Sequence, residues 1–195
     1  MNATPPPAPP IPKDYYLGFN YVLDRQSVTS LVALVQQAVG LNGKSVTICI
    51  TSNGGAPDQA LYAYEALTAL AIPVHTHAIG SVQSAAMILF MCGERRTSSP
   101  GANFLFHDTV FNPGAGSPLR YEDLIGHASA IQQNDKWSHQ LIAEKLNRPV
   151  KEIAKWFYGQ NPRDTKFALD NGIISAVQPL VVPAAAEFVQ VAYKF

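Results

Sequence analysis

Cysteine is scarce in this chain: of 195 residues only Cys49 and Cys92 are cysteines, and both lie inside apolar runs. They read as buried thiols in a reducing compartment, because a secreted chain of this size would show a disulfide framework. Net charge is absent as well, with fourteen acidic and fourteen basic side chains. No basic stripe stands out, so nucleic acid is not an expected partner. No run of about 18 apolar residues occurs, so no membrane span is predicted. Gly-x-Gly-x-x-Gly and the P-loop are missing, which removes the usual nucleotide cofactors. Gly-x-Ser-x-Gly is missing too, which removes the α/β-hydrolase elbow. No lysine falls between Ser84 and His107. His75 and His77 share one strand face, but no cysteine or carboxylate nearby in sequence completes a ligand set, so no metal is expected.

What is present is a core-forming composition, 47% hydrophobic, which suffices for one domain. The proline-rich residues 1–13 are expected to form an extended, solvated tail, with a single α/β domain over 14–195. The tail has neither a basic region nor an apolar core, so it is not read as a signal peptide, and a cytoplasmic protein is expected.

Strands and helices alternate along the domain. Tyr15 to Asn20 reads as a strand, Asp24 to Val39 as a helix ending at Gly40, and Lys44 to Thr51 as a strand with Val46, Ile48 and Ile50 on one face. Pro57 opens a helix to about Ala71. Val74 to Ile79 is a strand that meets a turn at Gly80. An apolar helix then begins at Ser84 and ends near Gly93. Glu94 to Pro100 reads as a polar connector, Phe104 to Phe106 as a short strand, and Asn112 to Pro118 as a flexible break. A long helix is predicted from Arg120 to Leu146 and another from Pro149 to Tyr158. A last helix, capped by Asp164, stops at Asn171-Gly172, and extended chain runs from Ile173 to Val182. The alternation implies a largely parallel sheet with helices on its faces.

Two strand ends carry chemistry. Gly54-Gly55 and Ser84 both follow strands that feed helices, so both fall on one edge of a parallel sheet. Paired glycines let backbone amides approach a ligand, and an amide of Gly54 or Gly55 together with that of Ala85 could form a two-donor oxyanion hole for a Ser84 nucleophile. His107, at a strand end 23 residues after Ser84, is the candidate base. His127 and His139 lie on the long helix and read as surface or packing residues.

The set resembles the Clp protease proteolytic subunit family, within the ClpP/crotonase group. Thr51-Ser-Asn-Gly-Gly55 resembles the family's Asn-Ser-Pro-Gly-Gly oxyanion loop, and the ungapped stretch to Ser84 places that residue on the nucleophile and Ala85 on the second donor. Phe104-Leu-Phe-His107 resembles the strand bearing the catalytic histidine. Lys151-Glu-Ile-Ala through Ala168-Leu-Asp-Asn-Gly-Ile-Ile174 resembles the C-terminal part, where the third triad member lies. The family's aspartate falls on Gln160, beside Asn161. An amide oxygen can accept the imidazole N–H, as in Cys-His-Asn enzymes, without supplying a charge. Additional residues after His107 and the proline tail in place of the axial loop are two further departures.

The resemblance implies a ClpP/crotonase-like fold with a protruding helical handle. It also implies a serine endopeptidase that cleaves peptides or unfolded proteins without a cofactor. Rings of identical subunits and an AAA+ unfoldase partner are implied with it. The missing aspartate motivates one alternative, a ring subunit with weak or lost catalysis. Paired backbone amides motivate another, a crotonase-like acyl-CoA enzyme.

Overall fold

The computed structural model describes residues 12–112 and 120–192. The expected tail, up to residue 11, and all but Asn112 of the expected 112–118 break lie outside these residues. Strand β1 (Asp14–Phe19) leads to helix α1 (Arg25–Gly40), and β2 (Ser45–Ser52) to α2 (Pro57–Thr68). The sequence favours α1 strongly. Asp24 accepts the Ser27 amide at 2.8 Å while Ser27 Oγ accepts the Asp24 amide at 3.1 Å, a reciprocal cap. Its apolar stripe Val28, Leu31, Val32, Val35 is buried against the sheet. Helix α2 stops at Thr68, short of its expected end near Ala71.

Next come β3 (Val74–Gln83), α3 (Ala86–Met91), β4 (Arg96–Ser98) and β5 (Asn103–Leu105). Helices α4 (Tyr121–Leu146), α5 (Val150–Phe157) and α6 (Thr165–Asp170) follow, with β6 (Ala176–Val177) and β7 (Glu187–Gln190) last. The strands form one parallel sheet in the order β6-β4-β3-β2-β1-β7, with β5 paired to the far end of β3. The parallel sheet with flanking helices agrees with the sequence expectation.

Three features differ from it. The predicted turn at Gly80 is a bulge inside β3: Ile50 pairs with Ala78 but Ser52 with Val82, so the strand bends and continues. Past the bend β3 pairs with β5, through Ser81–Asn103, Val82–Phe104 and Gln83–Leu105. The predicted connector Glu94 to Pro100 contains β4, whose Thr97 and Ser98 are buried. Arg96 fastens that strand by donating to the carbonyls of Ile173 (2.7 Å) and Gly172 (3.1 Å). Finally, β7 extends the sheet beyond the last predicted element. The Val191 amide and the Gln190 side-chain amide both donate to the Gly18 carbonyl, at 2.9 Å each.

Helix α4 is exposed along its first three turns and buried only near Leu141, Ile142 and Ala143. Its N-terminal part therefore stands away from the sheet as a handle. Among the described residues no helix is long and apolar enough to cross a membrane.

Candidate active site

The bulge in β3 creates the site. It swings the strand end onto β5, and the Ser84 amide then donates to the Leu105 carbonyl at 2.9 Å. Ser84 is thereby fixed two residues from His107. Helix α3 begins two residues later than expected, so Ser84 sits in the turn before it at φ 53°, the left-handed region that is uncommon for residues other than glycine. A strained, non-glycine residue at a strand-to-helix turn thrusts its side chain out of the backbone path. Gly54, at φ 99°, makes this possible: a Cβ there would lie 2.6 Å from Ser84 Cβ.

The strain has a measurable consequence. Ser84→Gly is expected to raise the unfolding free energy by about 1 kcal/mol, because glycine adopts left-handed dihedrals without penalty. Chemical denaturation of the two proteins would show it as a higher midpoint in the glycine variant.

Ser84, Ala85, Gly55 and His107 line one cavity of about 270 Å³. Leu23 donates to the Gly54 carbonyl and accepts from the Ala56 amide, each at 2.8 Å. These bonds bracket Gly55, whose own N–H is turned away from Leu23. Ala85 has helical dihedrals (φ −56°, ψ −24°) and precedes the first turn of α3, where amides have no intrahelical acceptor.

His107 follows Phe106, which is buried between Trp156 and Phe157 with both ring centroids at 5.5 Å. Its Nδ1 lies 2.7 Å from the Asp108 carbonyl oxygen. A carbonyl only accepts, so Nδ1 carries the proton and Nε2 of the neutral ring is left as the base. Among the described residues no hydrogen bond joins Ser84 to His107. Gln160, at φ 46°, and Asn161 are exposed and are neither partners of His107 nor part of the cavity wall. Their loop nevertheless comes close in the chain, since Arg163 and Phe104 exchange backbone bonds of 2.7 and 2.8 Å.

Asp135, Ser138 and Ile142 of α4 also line the cavity. Sequence reasoning missed Asp135, which lies 51 positions from Ser84 on a helix with no local sign of chemistry. The Asp135 carboxylate accepts the Thr109 amide at 2.7 Å. His139 Nε2 lies 3.0 Å from an Asp108 carboxylate oxygen.

The remaining histidines and the thiols are elsewhere. His75 and His77 line a second, polar cavity with Arg95 and Thr97. His77 is buried between the Thr97 hydroxyl (2.8 Å) and the Ser99 hydroxyl (3.1 Å), and burial lowers its basicity. Burial pushes both Cys49 and Cys92 up to about 12, so neither is a thiolate near neutral pH. Among the described residues no group of three or more metal-ligating side chains occurs.

A family model, Clp protease, matches residues 21–179. The chain belongs to the Clp protease family. Among curated proteins, the ATP-dependent Clp protease proteolytic subunit 2 of Treponema denticola is 27% identical over 136 residues, which is 69% of this chain. The match spans 66% of that relative, slightly under two thirds of its length. Among solved structures, a point mutant of ClpP1 from Listeria monocytogenes superposes with a TM-score of 0.74, covering 85% of this chain and 91% of that one. At 17% identity that likeness establishes the Clp protease fold alone.

Proposed function

We propose that this Clp protease family member is a serine-type peptidase acting on peptides or unfolded proteins, with Ser84 as nucleophile and His107 as base. The observation that carries the reading is the strained Ser84, held by Leu105 in the cavity that also contains His107 and Gly55. In this reading Ser84 Oγ attacks the peptide carbonyl carbon and its proton passes to His107 Nε2. The amides of Gly55 and Ala85 stabilise the oxyanion. His107 returns the proton to the leaving amine, leaving an acyl ester on Ser84. Water, deprotonated by the same nitrogen, then releases the acid and restores the serine. The Ser84–His107 bond forms on substrate binding, as catalytic bonds in unliganded sites often do.

The orienting role falls to Gln160 or Asn161 by resemblance, and to the Asp108 carbonyl by the hydrogen bond it makes. Gln160→Asp distinguishes them. An exposed side chain that does not touch the ring should leave kcat within about twofold, whereas a true third position gaining a carboxylate should raise it tenfold or more.

Assembly into rings of identical subunits belongs to the same proposal. Tyr121, Leu124 and Ile125 are exposed apolar residues on the handle helix, where copies of the chain would cover them. An AAA+ unfoldase would supply unfolded chains. The function is tested with short fluorogenic peptides and the purified full-length chain. Turnover that stops on fluorophosphonate treatment supports a serine peptidase. A chain that assembles yet neither cleaves nor reacts would instead be a structural ring subunit, the reading favoured by the missing carboxylate.

A further inference from the structure

The segment that carries His107 has no backbone ladder of its own. Strand β5 ends at Leu105, and residues 106–112 have no regular structure. Among the described residues, two side chains of α4 make the hydrogen bonds that tie residues 107–110 to another element. Asp135 accepts the Thr109 amide at 2.7 Å, and His139 Nε2 pairs with the Asp108 carboxylate at 3.0 Å. Asp135 and His139 are one turn apart, so both side chains leave the same face of α4. The His139 imidazole is itself fixed edge-on against Phe157, with centroids 4.2 Å apart, and its side chain is only 14% exposed.

We infer that Asp135 and His139 are positioning residues that clamp the 107–109 segment so that the Asp108 carbonyl meets His107 Nδ1. The inference rests on the serine peptidase reading. The clamp grips the chain on both sides of one carbonyl. His139 holds the Asp108 side chain, Asp135 holds the next amide, and the Asp108 C=O between them is aimed at the imidazole 2.7 Å away. An exposed ion pair alone would do little. The amide-to-carboxylate bond is charge-assisted, and with both ends held the peptide unit between them loses its rotational freedom. The handle helix thus supplies what a triad carboxylate supplies elsewhere: one tautomer and one ring orientation for the base. It also makes the base sensitive to the position of α4.

Steady-state kinetics on a fluorogenic peptide test the clamp, using Asp135→Ala, Asp135→Asn, His139→Ala, His139→Gln and the double alanine variant. A base moved by a fraction of an ångström should lower kcat about tenfold or more in each alanine variant while KM stays within about twofold. Asn keeps an acceptor for Thr109 and Gln keeps a donor for Asp108, so both should recover most of the rate. The double variant should lose less than the product of the single losses, because both residues hold one segment. Nitrogen-15 spectra of labelled histidine provide a readout independent of turnover. His107 should be the Nδ1–H tautomer in the wild type and a mixture in the alanine variants. Unchanged kcat in both alanine variants, or an unchanged His107 tautomer in folded variants, would overturn the clamp. A wild type that shows the fixed tautomer yet is inert to peptides and fluorophosphonate would count against the peptidase reading and leave the clamp standing.

Discussion

Ser84→Ala is expected to lower kcat on a fluorogenic peptide by about a thousandfold or more while leaving the melting temperature near that of the wild type. Alanine keeps the Cβ and the left-handed backbone of Ser84, so the packing against Gly54 is preserved and only Oγ is lost. Among the described residues, the two thiols and Ser138 are not placed to substitute. Cys49 and Cys92 are buried and protonated at neutral pH. Ser138 shares the cavity but sits inside α4, where the amides are already bonded along the helix and have nothing to offer an oxyanion. The measurement is kcat and KM for both proteins, with the melting curve as the folding control. A variant retaining a tenth of the rate would remove Ser84 from the mechanism.

Gly55→Ala is the second large effect, and it should appear in stability and activity together. A Cβ at position 55 would lie 2.3 Å from the Leu23 carbonyl oxygen and 2.7 Å from the Leu23 nitrogen, both backbone atoms that cannot rotate aside. The residue also has φ 149°, a region alanine rarely enters. Overpacking and dihedral strain each destabilise by about 1–3 kcal/mol, so a loss of about 3 kcal/mol is expected in urea denaturation. Relief requires the loop to move off Leu23, which carries the Gly55 amide away from the oxyanion position. The surviving folded fraction should therefore hydrolyse peptide at least about a hundredfold more slowly. A variant of wild-type stability and rate would mean that the Leu23–Gly55 bridge does not set the oxyanion loop.

The legible parts of the fold were those where one local rule decides. Alternation marks Val46, Ile48 and Ile50 as the buried face of β2. Asp164 caps its helix as read, accepting the Phe167 amide at 2.8 Å. Three of the residues that line the cavity were legible too, because Ser84, Gly55 and His107 all lie at strand ends on one sheet edge. Long-range pairing hid the rest. Arg96-Thr97-Ser98 looks like a connector, yet the Thr97 hydroxyl and the Arg96 guanidinium find partners only after β3, Gly172 and Ile173 come together. At the Gly80 bulge β5 takes over from β4 as the partner of β3, which no local pattern announces. The orientation of His107 depends on Asp108, Asp135 and His139, the last two on a helix whose polar residues resemble an ordinary solvated face.

The central claim is that Ser84 is an activated nucleophile at the cavity shared with His107 and Gly55. Intact-mass analysis after incubation with a fluorophosphonate, followed by peptide mapping, tests it most directly. One phosphonyl group per chain, mapped to Ser84 and absent from Ser84→Ala and greatly slowed in His107→Ala, is the expected result. An unmodified wild type, or an adduct mapped to any other residue, would contradict it.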